Sequence, residues 1–339
     1  MFGCFLFVSI VHNISAQDHN FYAYSNIEEK YDVHARNNVV RHIMTNPVNN
    51  TNFSGLKLGR GIKIYDPNDL PKFLYPVWAN NKIIGSLLVI DDNGELSCVY
   101  TDVYNQKLNS LIRITSKEKP MTLIVDNRGL LAVIDNEWYG LSNDDRGVFN
   151  GEIPYDKNIV NAFEDLDLVM PISYKIPTGY SLPWKVYEVQ RGYYCYSYAL
   201  GNILLNKGYK YRPADIQKFM NYSTDASNYE MNNYLKSIGK KSTYSSSGTL
   251  AFSTVKNAIY HNKDYIYIAA CRKNEKNERV CHAFVITGYF QDADSKLNSY
   301  SVWNPWYDQQ QTFDDKSKLI TTNDSRVYKW DAGYLYNIK

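Results

Sequence analysis

The sequence predicts an α+β fold in two parts, a β-rich N-terminal half and a C-terminal half in which helices come first and an antiparallel sheet follows. Three observations carry this expectation. From Phe73 to about Ile134, short runs rich in Val, Ile, Leu and Tyr are punctuated by Asx and Gly turns, the signature of consecutive hairpins. Positions 142–182 look like a linker, with SNDDRG, GEIP and the prolines Pro154, Pro171, Pro177 and Pro183. After Cys195 the apolar residues fall at helical spacings, and beyond Asp264 the text becomes strand-like.

Residues 17 to about 60 are polar and Asn-rich, with one helix expected around Asn26 to Met44. The hairpin region then reads FLYPVWA, the turn Asn80-Asn81, KIIGSLLVI, the turn Asp91 to Gly94, ELSCVY, MTLIV, the turn Asp126 to Gly129, and LLAVI. Within it, VYNQKLNSLIRI fits one amphipathic helix lying on the sheet. In the C-terminal half, Tyr198, Leu200, Ile203 and Leu204 share a helix that Gly208 can stop. PADIQKFM, SNYEMNNYLKSIGK and AFSTVKNAIYHNK supply three more helices, and YIYIAA, HAFVITGYF, SYSVWNPW, SRVYKWD and AGYLYN supply strands. Packing the leading helix on the later sheet brings distant residues together.

The first residues, MFGCFLFVSIVHNISA, hold an apolar run from Phe2 to Val11 and a small residue, Ala16, at a cleavage position. The run is shorter than the roughly 18 apolar residues a membrane helix needs, so it reads as a signal peptide (1–16) and predicts a secreted, extracellular protein with no membrane attachment after cleavage. The chain of 339 residues is 44% hydrophobic and 15% aromatic, enough to build packed cores. Its 37 Lys and Arg against 35 Asp and Glu leave a net charge of +2, too balanced for a sequence-independent grip on phosphates, which excludes nucleic acid as the expected partner. The 31 tyrosines are amphipathic material for strand surfaces and grooves.

Export makes the five cysteines informative. Cys4 leaves with the signal peptide, and Cys98 lies in the hairpin region. Cys271 and Cys281 bracket the charged loop of a hairpin and are a candidate disulfide. Cys195 is then an unpaired thiol in the C-terminal half, worth suspecting as reactive. At a helix N-terminus, backbone N–H groups and the dipole favour a thiolate. A thiolate acting on a peptide needs an imidazole to pair with it and to protonate the leaving amine, and a third group to orient the imidazole. Of the two C-terminal histidines, His261 sits in a helix-closing turn, whereas His282 opens a strand. WNPW offers Asn304 to accept from the imidazole and Trp306 to cover that hydrogen bond.

With CYSYALGNILLN, EMNNYLKSIGKKSTY, CHAFVITGYF and SVWNPWYD in place, the C-terminal half resembles the staphopains, secreted papain-fold cysteine proteases made as zymogens. The resemblance implies a papain-like peptidase domain over 176–339. It also implies an inhibitory pro-segment over 17–175, whose β-rich core at about 70–140 resembles a half-barrel that blocks the groove. Cys195 becomes the nucleophile, His282 the general acid/base, Asn304 its orienter, Trp306 the shield and Gln190 an oxyanion-hole residue beside the Cys195 amide. The sequence departs from the family in placing Gln190 five positions ahead of Cys195 where six is usual, in Tyr194 where a Trp is common, and in Cys281 directly before His282.

The implied activity is endopeptidase cleavage of proteins or peptides through a thioester, with no cofactor. The implied partners are its substrates, its own pro-segment as intramolecular inhibitor, and a proteinaceous inhibitor. Two other readings stay open: a catalytically inert exported binding module on the same shell, and a Cys-His-Asn acyltransferase. Serine hydrolase chemistry lacks a G-x-S-x-G elbow. Cys271, Cys281 and His282 offer three metal ligands without a fourth, and HExxH is absent, so no metal site is expected.

Overall fold

A computed structural model describes residues 21–45, 55–142, 145–152, 158–166, 178–240, 244–246, 248–292, 297–322, 324–336 and 338. The expected signal peptide, Cys4, Pro154, Pro171, Pro177 and the expected boundary at 175 lie outside the described residues. The N-terminal half runs β1 (Tyr22–Tyr24), α1 (Glu29–Thr45), β2 (Lys57–Leu58), β3 (Ile62–Tyr65), β4 (Lys72–Ala79), β5 (Lys82–Asp92), β6 (Glu95–Thr101), α2 (Asn105–Leu111), β7 (Thr122–Asp126), β8 (Gly129–Ile134), β9 (Glu137–Gly140), β10 (Arg146–Val148) and β11 (Ile159–Asn161). After β12 (Thr178–Ser181) come α3 (Cys195–Asn206), α4 (Pro213–Phe219), α5 (Asn228–Ser237), β13 (Tyr244–Ser246), α6 (Phe252–Asn257) and a π-helical turn, Ala258–Asn262. The strands β14 (Ile266–Lys273), β15 (Arg279–Gln291), β16 (Asn298–Trp303), β17 (Gln310–Asp314), β18 (Leu319–Thr321) and β19 (Val327–Leu335) complete the chain.

The expected hairpins form. β4, β5 and β6 make an antiparallel meander in which Tyr75 faces Leu87 and Leu87 faces Tyr100. Its strands are near-continuously apolar because both faces are covered. Phe73, Tyr75, Leu87, Val89, Cys98 and Tyr100 pack in one cluster with Ala35, Val39 and Ile43 of α1. Leu74, Leu88, Ile90 and Val99 point the other way, into a cluster that includes Leu108 and Leu111 of α2 and continues to Leu200, Ile203 and Ile286 of the C-terminal half. Each such buried Leu, Val or Phe contributes about 1.5–3 kcal/mol.

Three expectations are corrected. The stretch 142–182, expected as linker, carries β10, β11 and β12, which pair with β9, β1 and β15 through backbone groups that need no apolar alternation. VYNQKLNSLIRI is helical only from Asn105 to Leu111. SRVYKWD and AGYLYN form one strand, β19, whose partner β14 changes register between Ala269 and Ala270 and so absorbs the interruption.

The C-terminal sheet runs β17–β16–β15–β14–β19, antiparallel throughout. It does not stop at the boundary between the halves. β17 pairs with β6, Thr312 facing Tyr100 and Phe313 facing Val99. Beside this seam the buried Asp314 meets Arg41 Nη2 at 2.7 Å and His42 Nε2 at 3.3 Å, both from α1. Lys72, fully buried, donates to Asp66 at 3.0 Å, Asp69 at 2.8 Å and the Ser325 carbonyl at 2.9 Å.

Candidate active site

Helix α3 opens at Cys195 with no side-chain cap on Tyr194, so its first amides are available to another acceptor. The preceding loop turns through Gly192, at φ +66, a left-handed conformation that costs glycine little. Nine residues of α3, from Tyr196 to Leu204, are buried, which fixes the helix against the sheet and leaves Cys195 half-buried at its edge. Burial pushes the Cys195 thiol up, against amide N–H groups of Ala283, Tyr196 and Cys195 that pull it down. The Ala283 amide belongs to the residue following His282. The thiol thus lies where the helix end abuts the His282–Ala283 segment of β15. The helix terminus alone predicts an acidified thiol; in this covered arrangement desolvation wins.

His282 lies in β15 opposite Ala270 and is 7% exposed. Its Nε2 is 2.9 Å from Asn304 Oδ1, and the Trp306 backbone N–H donates to the same oxygen at 3.1 Å. A backbone N–H can only donate, so that atom is an acceptor and His282 carries its proton on Nε2, leaving Nδ1 for a second partner. Asn304 follows directly on β16 and is wholly buried. The Trp306 ring lies nearly parallel to the imidazole, 17° and 6.3 Å between centroids, while Phe284 meets it edge-on at 4.8 Å and Tyr328 flanks it at 6.1 Å. This aromatic enclosure drives the His282 pKa down to about 4, burial outweighing the Asn304 bond that raises it.

Gln190 is brought to the same place. Its backbone N–H donates to the Pro305 carbonyl at 2.7 Å, which ties the loop before α3 to the turn carrying Asn304 and Trp306. The side-chain Nε2 donates to Gly192 O at 2.7 Å, and the shortened loop is thereby closed on itself. Cys271 and Cys281 face each other across β14 and β15 and are joined by a disulfide. Among the described residues Cys98 and Cys195 are the free cysteines, and Cys98 is buried under α1. His261 is exposed on the π turn beside Tyr260. No group of three or more His, Cys, Asp or Glu among the described residues could hold a metal.

The sequence did not single out Phe284, Tyr328 or the Ala283 amide. Phe284 and Ala283 sit in the quoted strand, but nothing in its alternation tells which residue will wall the imidazole. Tyr328 arrives from β19, which reaches His282 only through the folded sheet. From the N-terminal half, Asp102 lies close enough to Asp308 for the two charges to interact, and burial raises Asp102 to about 6.

A cysteine-headed helix packed on an antiparallel sheet, with a strand-borne histidine bonded to a buried asparagine, is the architecture of a papain-like cysteine peptidase. Residues 193–336 match the family model of staphopain peptidase C47, so this region is similar to the staphopains. No match to a curated protein accompanies it. The family is one of cysteine peptidases acting on proteins. No helix among the described residues is long and apolar enough to cross a membrane.

Proposed function

We propose that this chain is a secreted cysteine endopeptidase made as a zymogen, with residues 1–16 as signal peptide, 17–175 as inhibitory pro-segment and 176–339 as the peptidase domain. The observation that carries the reading is the His282–Asn304 bond at 2.9 Å beside a helix-opening thiol that faces the Ala283 amide. In this scheme Cys195 Sγ attacks the scissile carbonyl carbon and its proton passes to His282 Nδ1. The Cys195 amide and Gln190 hold the developing oxyanion. Collapse breaks the C–N bond, His282 returns the proton to the departing amine, and water hydrolyses the thioester. Asn304 keeps the imidazole in the required tautomer and Trp306 excludes water from their bond.

Latency follows from the same surroundings. A thiol pushed up and an imidazole pushed down to about 4 are both neutral at pH 7, so an enclosed site holds no ion pair. The shared β6–β17 seam supports the N-terminal half as the inhibitor. Rehydration of the site would favour the thiolate–imidazolium pair, and release of the N-terminal half is the trigger proposed for it.

The test is labelling by an epoxide-type thiol inhibitor with the modified residue found by mass spectrometry, before and after removal of the N-terminal half. Expected is label on Cys195, stronger after removal and lost in His282→Ala. Cys195→Ala is expected to abolish proteolysis with the fold intact. No label after removal supports an inert binding module; label with amide exchange in place of hydrolysis supports an acyltransferase.

A further inference from the structure

On the peptidase half, at the end of α3 opposite Cys195, lies a shallow pocket of about 680 Å³. Twelve residues of helix separate it from the thiol, about 18 Å. Its wall is aromatic, with Tyr180, Trp184, Tyr187, Tyr209 and Tyr265 among the lining residues, and its cations are Lys185, Lys207 and Lys263. No carboxylate lines it. The two nearest in sequence are spoken for: Asp264 pairs with Lys207, and Glu188 with Arg212 at 3.2 Å.

Lys185 and Lys263 have no acidic partner among the described residues. Ring faces hold them instead, Lys185 over Tyr187 at 4.9 Å and Lys263 over Tyr180 at 3.9 Å. A carboxylate would both position and neutralise an ammonium; a ring face positions it and leaves the charge uncompensated. The backbone beneath is irregular. The π-helical turn Ala258–Asn262 delivers Asn262 to the rim, and Lys263 follows at φ +55, a helix-ending position usually given to glycine. Holding a lysine there costs about 1 kcal/mol or more, and the catalytic scheme makes no use of it.

We propose that this pocket binds an anionic saccharide. Lys185 and Lys263 pair with its acid groups, the exposed Tyr187 ring stacks on a sugar ring, and the Tyr180 and Tyr209 hydroxyls and the Asn262 amide meet its hydroxyls. The site stands apart from the thiol, so it tethers the protein to a glycan without entering the cleavage step.

Isothermal titration of the full chain with a heparin-derived tetrasaccharide and a hyaluronan tetrasaccharide tests this, one bearing sulfates and carboxylates, the other carboxylates alone. Chitotetraose and tetraglutamate serve as neutral and peptidic controls. Expected is binding of at least one anionic saccharide that weakens with added salt, a loss of ~10-fold or more in Lys185→Gln/Lys263→Gln, and ~5-fold in Tyr187→Ala, with melting midpoints unchanged. Binding of neither tetrasaccharide, undiminished affinity in the double variant, chitotetraose binding as tightly, or tetraglutamate binding as tightly overturns the proposal; the last assigns the pocket to acidic peptide.

Discussion

Asn304 is a small residue with two obligations, since one oxygen accepts from both the Trp306 N–H and His282 Nε2. In Asn304→Ala the imidazole loses the bond that sets its tautomer, and no charge changes. Losing one buried hydrogen bond of roughly 1–3 kcal/mol predicts a fall of about 10- to 100-fold in kcat with KM nearly unchanged, read by steady-state kinetics on the activated enzyme. An unchanged kcat would reduce Asn304 to a turn residue before Pro305. The imidazole also carries a pH signature. Its pKa is lowered by burial to about 4, below the ordinary value near 6.5, so the fold favours its neutral form. Its contribution to stability is complete above pH 6.5 and is lost as pH falls from 6.5 toward 4. In Cys195→Ala, where no thiolate interferes, the His282 pKa followed by NMR is expected near 4 in the full chain and higher once the N-terminal half is removed. Equal values would mean that the enclosure belongs to the peptidase half alone.

At the level of elements, Gly201 shows how helix and packing preferences compete. It sits inside α3, where Ala would be favoured by roughly 1 kcal/mol. A Cβ there would lie 2.7 Å from Pro213 Cδ and 2.8 Å from Pro213 N, at the start of α4. Backbone cannot swing aside, so Gly201→Ala is expected to lose about 1–3 kcal/mol net in urea unfolding, and a stabilised variant would show that α4 can shift. The elements legible in the sequence were those with a strong local pattern. The meander at β4 to β6 announced itself through Asn80-Asn81 and Asp91 to Gly94, and both asparagines of the first turn adopt positive φ, as does Asn93 of the second. α5 was legible because Gly239 closes SNYEMNNYLKSIGK, and the structure adds a capping box of Ser227 and Glu230 at its start. β10, β11, β12 and β18 were not legible, because three or four residues cannot display a period and pairing partners lie far off in sequence. Of the site, Cys195, His282 and Asn304 were legible from residue type and order; the ring enclosure that sets the imidazole's pKa exists only after β19 has crossed to β14.

The two halves share a continuous apolar core and, among the described residues, a strand seam. β6 and β17 share a ladder, and beside it Asp314 accepts the charge of Arg41 in a nearly waterless setting. Burial alone would raise Asp314, yet the hydrogen bond from His42 and the charge of Arg41 draw it down to about 2, so it is ionised at any ordinary pH. Arg41 already balances that charge. His42, fully buried with Nδ1 2.8 Å from Thr312 Oγ1, is therefore favoured neutral, and burial lowers His34 beside it as well. Asp314→Ala strands Arg41 without its counter-charge and is expected to cost about 3–5 kcal/mol in urea unfolding, whereas a loss below about 1 kcal/mol would show that water reaches the pair. The histidines set a different dependence. Released into water, His34 and His42 regain ordinary pKa values near 6.5, so protons favour the parted state as pH falls below that value, while Asp314 stays ionised through the same window. A chain cut near residue 175 by an added protease is then expected to elute as one species at pH 7.5, held by the β6–β17 ladder, the Arg41–Asp314 pair and the Lys72 bond to the Ser325 carbonyl. At pH 5 the two pieces are expected to separate on the same column. Separation already at pH 7.5 would show that the seam is too weak to hold the pieces without the covalent link, and co-elution down to pH 4 would show that the buried histidines do not govern it.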